Sequence, residues 1–161
     1  MRGLSPILST MILLSAALIA GILLYTYFTN TMRGMANAPN IAVEQASYYP
    51  SVGLLYVKVR NYGGAPVDVN NSKIGVIAGN VTCTCRIVCS TPAMLKPFQS
   101  LTAQIYLFAG NGTTSIPGCT VECVNAAACA QAMASNSAYV TYTYLYAGSE
   151  QSTQPVSVTL G

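Results

Sequence analysis

The sequence predicts an α+β protein: one long hydrophobic N-terminal α-helix followed by an antiparallel β-sandwich held by disulfides. Three observations carry that expectation. No charged side chain lies between Arg2 and Arg33, the remainder is rich in Ser, Thr, Asn, Gly, Tyr and Val, and six cysteines fall in two triplets within that remainder. A chain of 161 residues has room for one modest domain and one additional element.

Leu4 to Phe28 reads LSPILSTMILLSAALIAGILLYTYF. At about 1.5 Å per residue this helix is roughly 37 Å long, enough to cross the hydrocarbon core of a bilayer. Its apolar residues occur on every side, so it has no face to turn toward water and must be buried in lipid or in protein. Tyr25 and Tyr27, then Thr29, Asn30, Thr31 and Arg33, form the polar, aromatic end that an interface favours. Ala17 and Gly21 stand four apart, a small-xxx-small pair that permits close helix contact. A secretory signal peptide has a shorter apolar run and a small-residue cleavage site at its far end. Tyr-Thr-Tyr-Phe is a poor match to such a site. A membrane anchor and a helix that packs against its own copies both satisfy this composition.

Residues 35–47 read as a connector with Pro39 as a stop, and residues 48–161 as the β domain. Leu54–Arg60 alternates at its polar end, Asn61-Tyr62-Gly63-Gly64 is a turn, and Ala65–Val69 continues as the expected partner strand. Further strands are expected at Ile74–Ala78, Leu101–Phe108, Ala138–Ala147 and Pro155–Leu160, with turns at the spacing of a β-sandwich.

The chain lacks histidine and has four carboxylates, Glu44, Asp68, Glu122 and Glu150, far apart in sequence. Acid–base catalysis usually draws on histidine or paired carboxylates, so no catalytic residue and no cofactor is expected. The net charge of +3 is scattered. Nucleic-acid binding needs clustered Lys and Arg and is not expected here.

The cysteines are Cys83, Cys85, Cys89 and Cys119, Cys123, Cys129. Thiolates at short spacing can hold zinc or an iron–sulfur cluster, but there is neither a Cys-x-x-Cys pair nor a histidine. An even number in an exported domain reads as disulfides, with no metal site, and six cysteines allow about 15 pairings that sequence cannot rank. Three sequons, at Asn70, Asn80 and Asn111, offer possible N-glycosylation sites.

Arg2-Gly3-Leu4-Ser5-Pro6-Ile7-Leu8-Ser9 resembles the N-terminus of archaeal type IV pilins, adhesion-type pilus subunits related to archaellins. In that family a basic and a small residue precede the cut, and Ser-Pro opens a long apolar helix. Bacterial type IV pilins usually carry Glu at the fifth mature position, where this chain has Leu8, so the resemblance is to the archaeal type. It implies a leader at residues 1–3, cleaved between Gly3 and Leu4 by a prepilin peptidase, and a polymerisation helix at 4–34. Pro6 then falls in the first turn, where a missing N–H costs nothing, and Ser5 is placed to cap it.

The stretch VKVRNYGGAPVDV resembles a strand-turn-strand of archaeal pilins and archaellins, which implies an immunoglobulin-like β-sandwich. The implied protein is the structural subunit of an extracellular pilus for surface adhesion, held in the cell membrane before assembly. Its implied partners are its own copies, a prepilin peptidase, an assembly ATPase and a membrane platform. Leu8, Leu13, Leu14, Leu18, Ile22 and Leu23 are the expected packing groups, with Ala17 and Gly21 at close contacts. The alternatives are a membrane-anchored surface protein with a ligand-binding β domain, and an archaellin of a motility filament.

Overall fold

A charge-free run ended by Arg33 becomes one helix, α1 (Leu4–Ala36), in the computed structural model, which describes residues 4–161. The hydroxyls of Thr10, Ser15, Thr26, Thr29 and Thr31 donate to carbonyls three or four residues back, so these polar groups ask nothing of their surroundings. Arg33 lies in the last turn, where a cation complements the helix dipole. Pro39 stands just beyond the helix end, in the position that prevents continuation. The chain divides into two compact units between Ala38 and Pro39.

The second unit is built from strands. In chain order they begin with β1 (Ile41–Tyr49), β2 (Leu54–Asn61), β3 (Val67–Asp68), β4 (Lys73–Ala78) and β5 (Val81–Cys89). Next come β6 (Met94–Leu95), β7 (Ser100–Tyr106), β8 (Asn111–Thr114) and β9 (Cys119–Val124). A helix, α2 (Ala126–Ser135), precedes β10 (Ala138–Tyr146), β11 (Ser149–Ser152), β12 (Val156–Ser157) and β13 (Thr159–Leu160).

Hydrogen bonding runs along one path, β11-β10-β4-β5-β9-β8-β7-β2-β1-β13, with β12 beside β10 and a separate β3-β6 ribbon. Every pairing is antiparallel except β1 with β13. Inward residues alternate along the strands, as Leu55, Val57 and Val59 do on β2, and all join one buried cluster with Ile74, Ile87 and Tyr142. The path turns through the short β8. A Cβ on Gly112 would lie 2.9 Å from the Ile105 Cα, so only glycine lets β8 lie this close to β7. At the far end the C-terminal segment crosses between strands. Val156 pairs with Val140 on β10, and Thr159 pairs with Ser47 on β1.

Two sequence expectations are corrected. Residues 41–47, read as connector, form most of β1. A bulge between Val43 and Gln45 leaves Glu44 without a ladder partner, which breaks the two-residue period that would have revealed the strand. The Leu54–Arg60 strand also does not pair with Ala65–Val69. Its neighbours are β1 and β7, and Val67–Asp68 pairs with Met94–Leu95 instead.

Asn61 supplies the reason. Fully buried, it donates to the carbonyls of Ala65 (2.8 Å) and Leu95 (3.2 Å) and accepts from the Gly63 N–H (2.9 Å) and the Asn40 N–H (3.4 Å). The chain is steered away from a hairpin by that amide. Asn61→Ala is expected to cost about 3 kcal/mol, because it strips partners from several buried backbone groups. Urea unfolding of the full chain in mild detergent reads that loss as a shifted midpoint.

Candidate functional site

The widest uncovered surface lies on α1. Leu8, Leu13, Leu14, Leu18, Ile22 and Leu23 are 61–68% exposed, and Ala17 and Gly21 lie on the surface too. A Cβ added to Gly21 would meet nothing within 4 Å, so its own chain gives no steric reason for glycine there. An 18-residue window within Pro6–Gly34 has a mean hydropathy of 2.5, and none of it is buried within the chain. Such a surface is satisfied only by lipid or by other protein. Of the expected cleavage pair, Gly3 lies outside the described residues, and Leu4 is the first residue of α1.

The six cysteines form three disulfides, Cys83–Cys129, Cys85–Cys123 and Cys89–Cys119. The register of β5 against β9 places Cys85 opposite Cys123 and Cys89 opposite Cys119, with Ile87 opposite Val121 between them. Cys83 reaches past the end of that ladder to α2, which is also held by a hydrogen bond from the buried Tyr48 hydroxyl to the Ala130 carbonyl (3.2 Å). With every cysteine oxidised, no thiolate remains to bind a metal. Three disulfides suit an oxidising, extracellular setting.

The sequons differ in environment. Asn80 is exposed in the turn between β4 and β5. The Asn70 side chain is half-buried and accepts a hydrogen bond from the Cys89 N–H (3.1 Å). Asn111 is exposed within β8, between Tyr106 and Glu122 on the adjoining strands. A cleft of about 440 Å³ lies between the end of α2, the start of β10 and the C-terminal segment, and Tyr139 is its sole ionisable lining residue.

A charged cluster gathers where the bulge re-aims Glu44. Its carboxylate pairs with Lys58 (2.8 Å) and Arg60 (3.3 Å) and accepts from the Tyr62 hydroxyl (2.7 Å). The Arg60 guanidinium lies 5.2 Å from the Tyr62 ring centre. The Lys58 hydrogen bond, followed by that of Tyr62, holds the Glu44 carboxyl down at about 2. On the opposite half of the fold the Tyr142 hydroxyl donates to Ser72 (2.8 Å), which donates to the Val69 carbonyl (2.6 Å). Burial pushes the Tyr142 phenol up to about 12.

These two groups make stability depend on pH at opposite ends of the scale. Glu44 has a folded pKa below its unfolded value, so its contribution is complete above about 4.5 and lost as pH falls toward about 2. Tyr142 has a raised folded pKa, so its contribution is complete below about 10 and lost as pH rises toward about 12. Thermal melts across pH should therefore stay level through the neutral range. Glu44→Gln should flatten the acid limb and also soften the alkaline limb, because its hydrogen bonds are the first cause of the raised Lys58 and Tyr62 pKa. Tyr142→Phe should soften the alkaline limb alone.

No protein-family model matches this chain, and no curated protein matches it either.

Proposed function

We propose that this chain is the structural subunit of an extracellular filament of the archaeal type IV pilus kind, acting in surface adhesion and not as an enzyme. One observation carries the reading: an apolar helix without any covered face is joined to a separate, disulfide-held β unit with its own core. At 33 residues, α1 extends about 50 Å, well beyond the roughly 20 residues that a bilayer core requires. Its apolar run ends at Phe28, a length that suits a bilayer and a bundle of copies alike, and the resemblance of the Ser5-Pro6 start to pilins favours the bundle. Before assembly the helix would reside in the membrane.

In this reading residues 1–3 are the leader and the cut falls between Gly3 and Leu4, after which an assembly ATPase and platform extrude the helix. The β unit is the outer domain, which we assign to the immunoglobulin-like sandwich class. Support comes from the β10-β4-β5-β9 and β7-β2-β1 groups, whose inner faces enclose one core, joined through β8. Among the sequons Asn80 is the preferred acceptor, because it is exposed in a turn, whereas Asn111 lies within strand β8 and the Asn70 side chain accepts from the Cys89 N–H.

The second reading, a membrane-anchored surface protein, is favoured by the length and hydropathy of the same helix. Electron microscopy of purified protein separates the two: filaments support the pilus subunit, and dispersed particles in detergent support the anchor. N-terminal sequencing of sheared filaments should begin at Leu4. Against an archaellin, the Ser5-Pro6 start resembles a pilin, and unimpaired swimming of a deletion strain should agree.

A further inference from the structure

Strand β8 is short and carries a glycine, a residue that weakens a strand interior. A Cβ on Gly112 would meet the β7 backbone, so glycine lets β8 lie against β7, and a strand glycine often marks close approach of a ligand. The register then sets two rows of outward side chains across β7, β8 and β9. Tyr106, Asn111 and Glu122 form one row, and Gln104, Thr113 and Thr120 the other, all of them exposed. A cleft of about 440 Å³ is lined by all but Gln104, with the buried Gly112 and Val121 at its floor. Small-molecule sites have volumes of about 300–1,000 Å³.

The three strands are tied together at this place. The Cys123 N–H donates to the Gly110 carbonyl (2.8 Å) and the Gly110 N–H to the Tyr106 carbonyl (2.9 Å), which joins the β7–β8 turn to β9. Thr120 and Glu122 lie between Cys119 and Cys123, and each of those cysteines is bridged to β5. A strand pinned on both sides of its contact residues presents them in one arrangement, and such preorganisation lowers the cost of binding.

The chemistry of the two rows selects the ligand. They hold one aromatic ring, two amides, two hydroxyls and one carboxylate, with no aliphatic side chain and no cation. Amides and hydroxyls supply both donors and acceptors, as sugar hydroxyls do, and a carboxylate can accept from two neighbouring hydroxyls at once. The exposed Tyr106 ring offers a flat apolar surface to the C–H face of a pyranose. A docking protein anchors through a cluster of large apolar groups, and Tyr106 is the single one in these rows. An anionic sugar would want a cation. Arg86, opposite Glu122 on β5, instead donates to the Asn71 side chain (3.1 Å). The ion pairs among the described residues engage Glu44 and Glu150, which leaves the Glu122 carboxylate exposed without one.

We propose that this cleft binds a neutral saccharide, with Tyr106 stacked on a pyranose ring and Asn111, Thr120 and Glu122 holding its hydroxyls. Asn111 then contacts ligand as a free amide, in keeping with Asn80 as the preferred glycan acceptor. The site lies wholly within the β unit, and only its use as an adhesive contact rests on the filament reading.

Saturation-transfer NMR on the full chain tests this with neutral trisaccharides of glucose, mannose and N-acetylglucosamine, in a detergent that lacks a sugar headgroup. At least one should bind with a Kd of about 1 mM, the strength of one ring contact and a few hydrogen bonds. Tyr106→Ala and Glu122→Gln should each weaken it about tenfold. Tyr139→Ala, in the cleft beside α2, should leave it unchanged. Melting temperatures should match wild type. If Tyr106→Ala melts lower, Glu122→Gln decides alone, since it keeps the shape of an exposed side chain. The proposal is overturned by absence of binding to wild type, by binding that both variants retain, or by equal loss in Tyr139→Ala. Tighter binding of a uronate-containing sugar, or a glycan found on Asn111 by mass spectrometry, overturns it too. The assay uses dispersed protein, so failure to form filaments leaves its result standing, and failure to bind sugar leaves the filament reading intact.

Discussion

Reduction of all three disulfides is expected to unfold the β unit near 25 °C, whereas loss of one inner bridge should leave it folded. The bridges are nested. Cys83–Cys129 spans 46 residues, Cys85–Cys123 spans 38 within it, and Cys89–Cys119 spans 30 within both. On chain entropy the outermost closure restricts the unfolded chain by about 4 kcal/mol, and each further bridge, closing only a small additional ring, by about 2.5 kcal/mol. Together these are comparable with the whole stability of a typical domain, about 5–15 kcal/mol. Cys85→Ser with Cys123→Ser should therefore cost about 2.5 kcal/mol in denaturant unfolding of the full chain in detergent, because Cys89–Cys119 still holds β5 against β9. A fully reduced protein that melts within a few degrees of the oxidised form would show that the bridges are incidental to the fold.

What the sequence revealed and what it concealed follow from the range of the interactions. The α1 helix was legible because its cause is compositional, thirty residues without a charge between Arg2 and Arg33. The strands at β4, β7 and β10 were legible because their alternation is uninterrupted. β1 was hidden by one residue, Glu44, whose bulge shifts the inward positions from Ile41 and Val43 to Ala46 and Tyr48. β5 was hidden because three of its alternating residues, Cys83, Cys85 and Cys89, read as disulfide partners and left Ile87 as a lone apolar position. Counted as small apolar residues beside Ile87, the cysteines restore the two-residue period with Thr82, Thr84 and Arg86 facing out. α2 has Asn125 at its start, a residue type suited to an N-cap, but in the fold Asn125 is left-handed and its side chain makes no cap.

Partner choice lay beyond the sequence altogether. β2 pairs with β7, forty residues on, because their inward residues share one core, and the local turn at Asn61 does not override that. The disulfide pairing likewise depends on the β5–β9 register and not on the spacing within either triplet. The uncovered surface of α1 was legible as apolar, but its occupant depends on copies outside the chain.

Leu18→Lys should leave the protein in the membrane but abolish filaments. Leu18 lies near the middle of Pro6–Gly34, whose most apolar 18-residue window has a mean hydropathy of 2.5. In a bilayer one lysine at that depth costs about 3 kcal/mol, which the rest of so apolar a span offsets, and the long side chain can reach toward the interface. A filament interior offers no such escape. Neither aspartate nor glutamate occurs before Glu44, so α1 segments from neighbouring copies bring no counter-charge. Each subunit would then bury an unpaired ammonium at a cost of several kcal/mol, repeated at every step of the polymer. Membrane fractions of the variant should hold as much protein as wild type, while the sheared fraction should hold no filaments by electron microscopy. Leu18→Met, which keeps volume and polarity close to leucine, should assemble normally. Filaments of the lysine variant at wild-type yield would place Leu18 on the outside of the helix bundle and remove it from the polymerisation face.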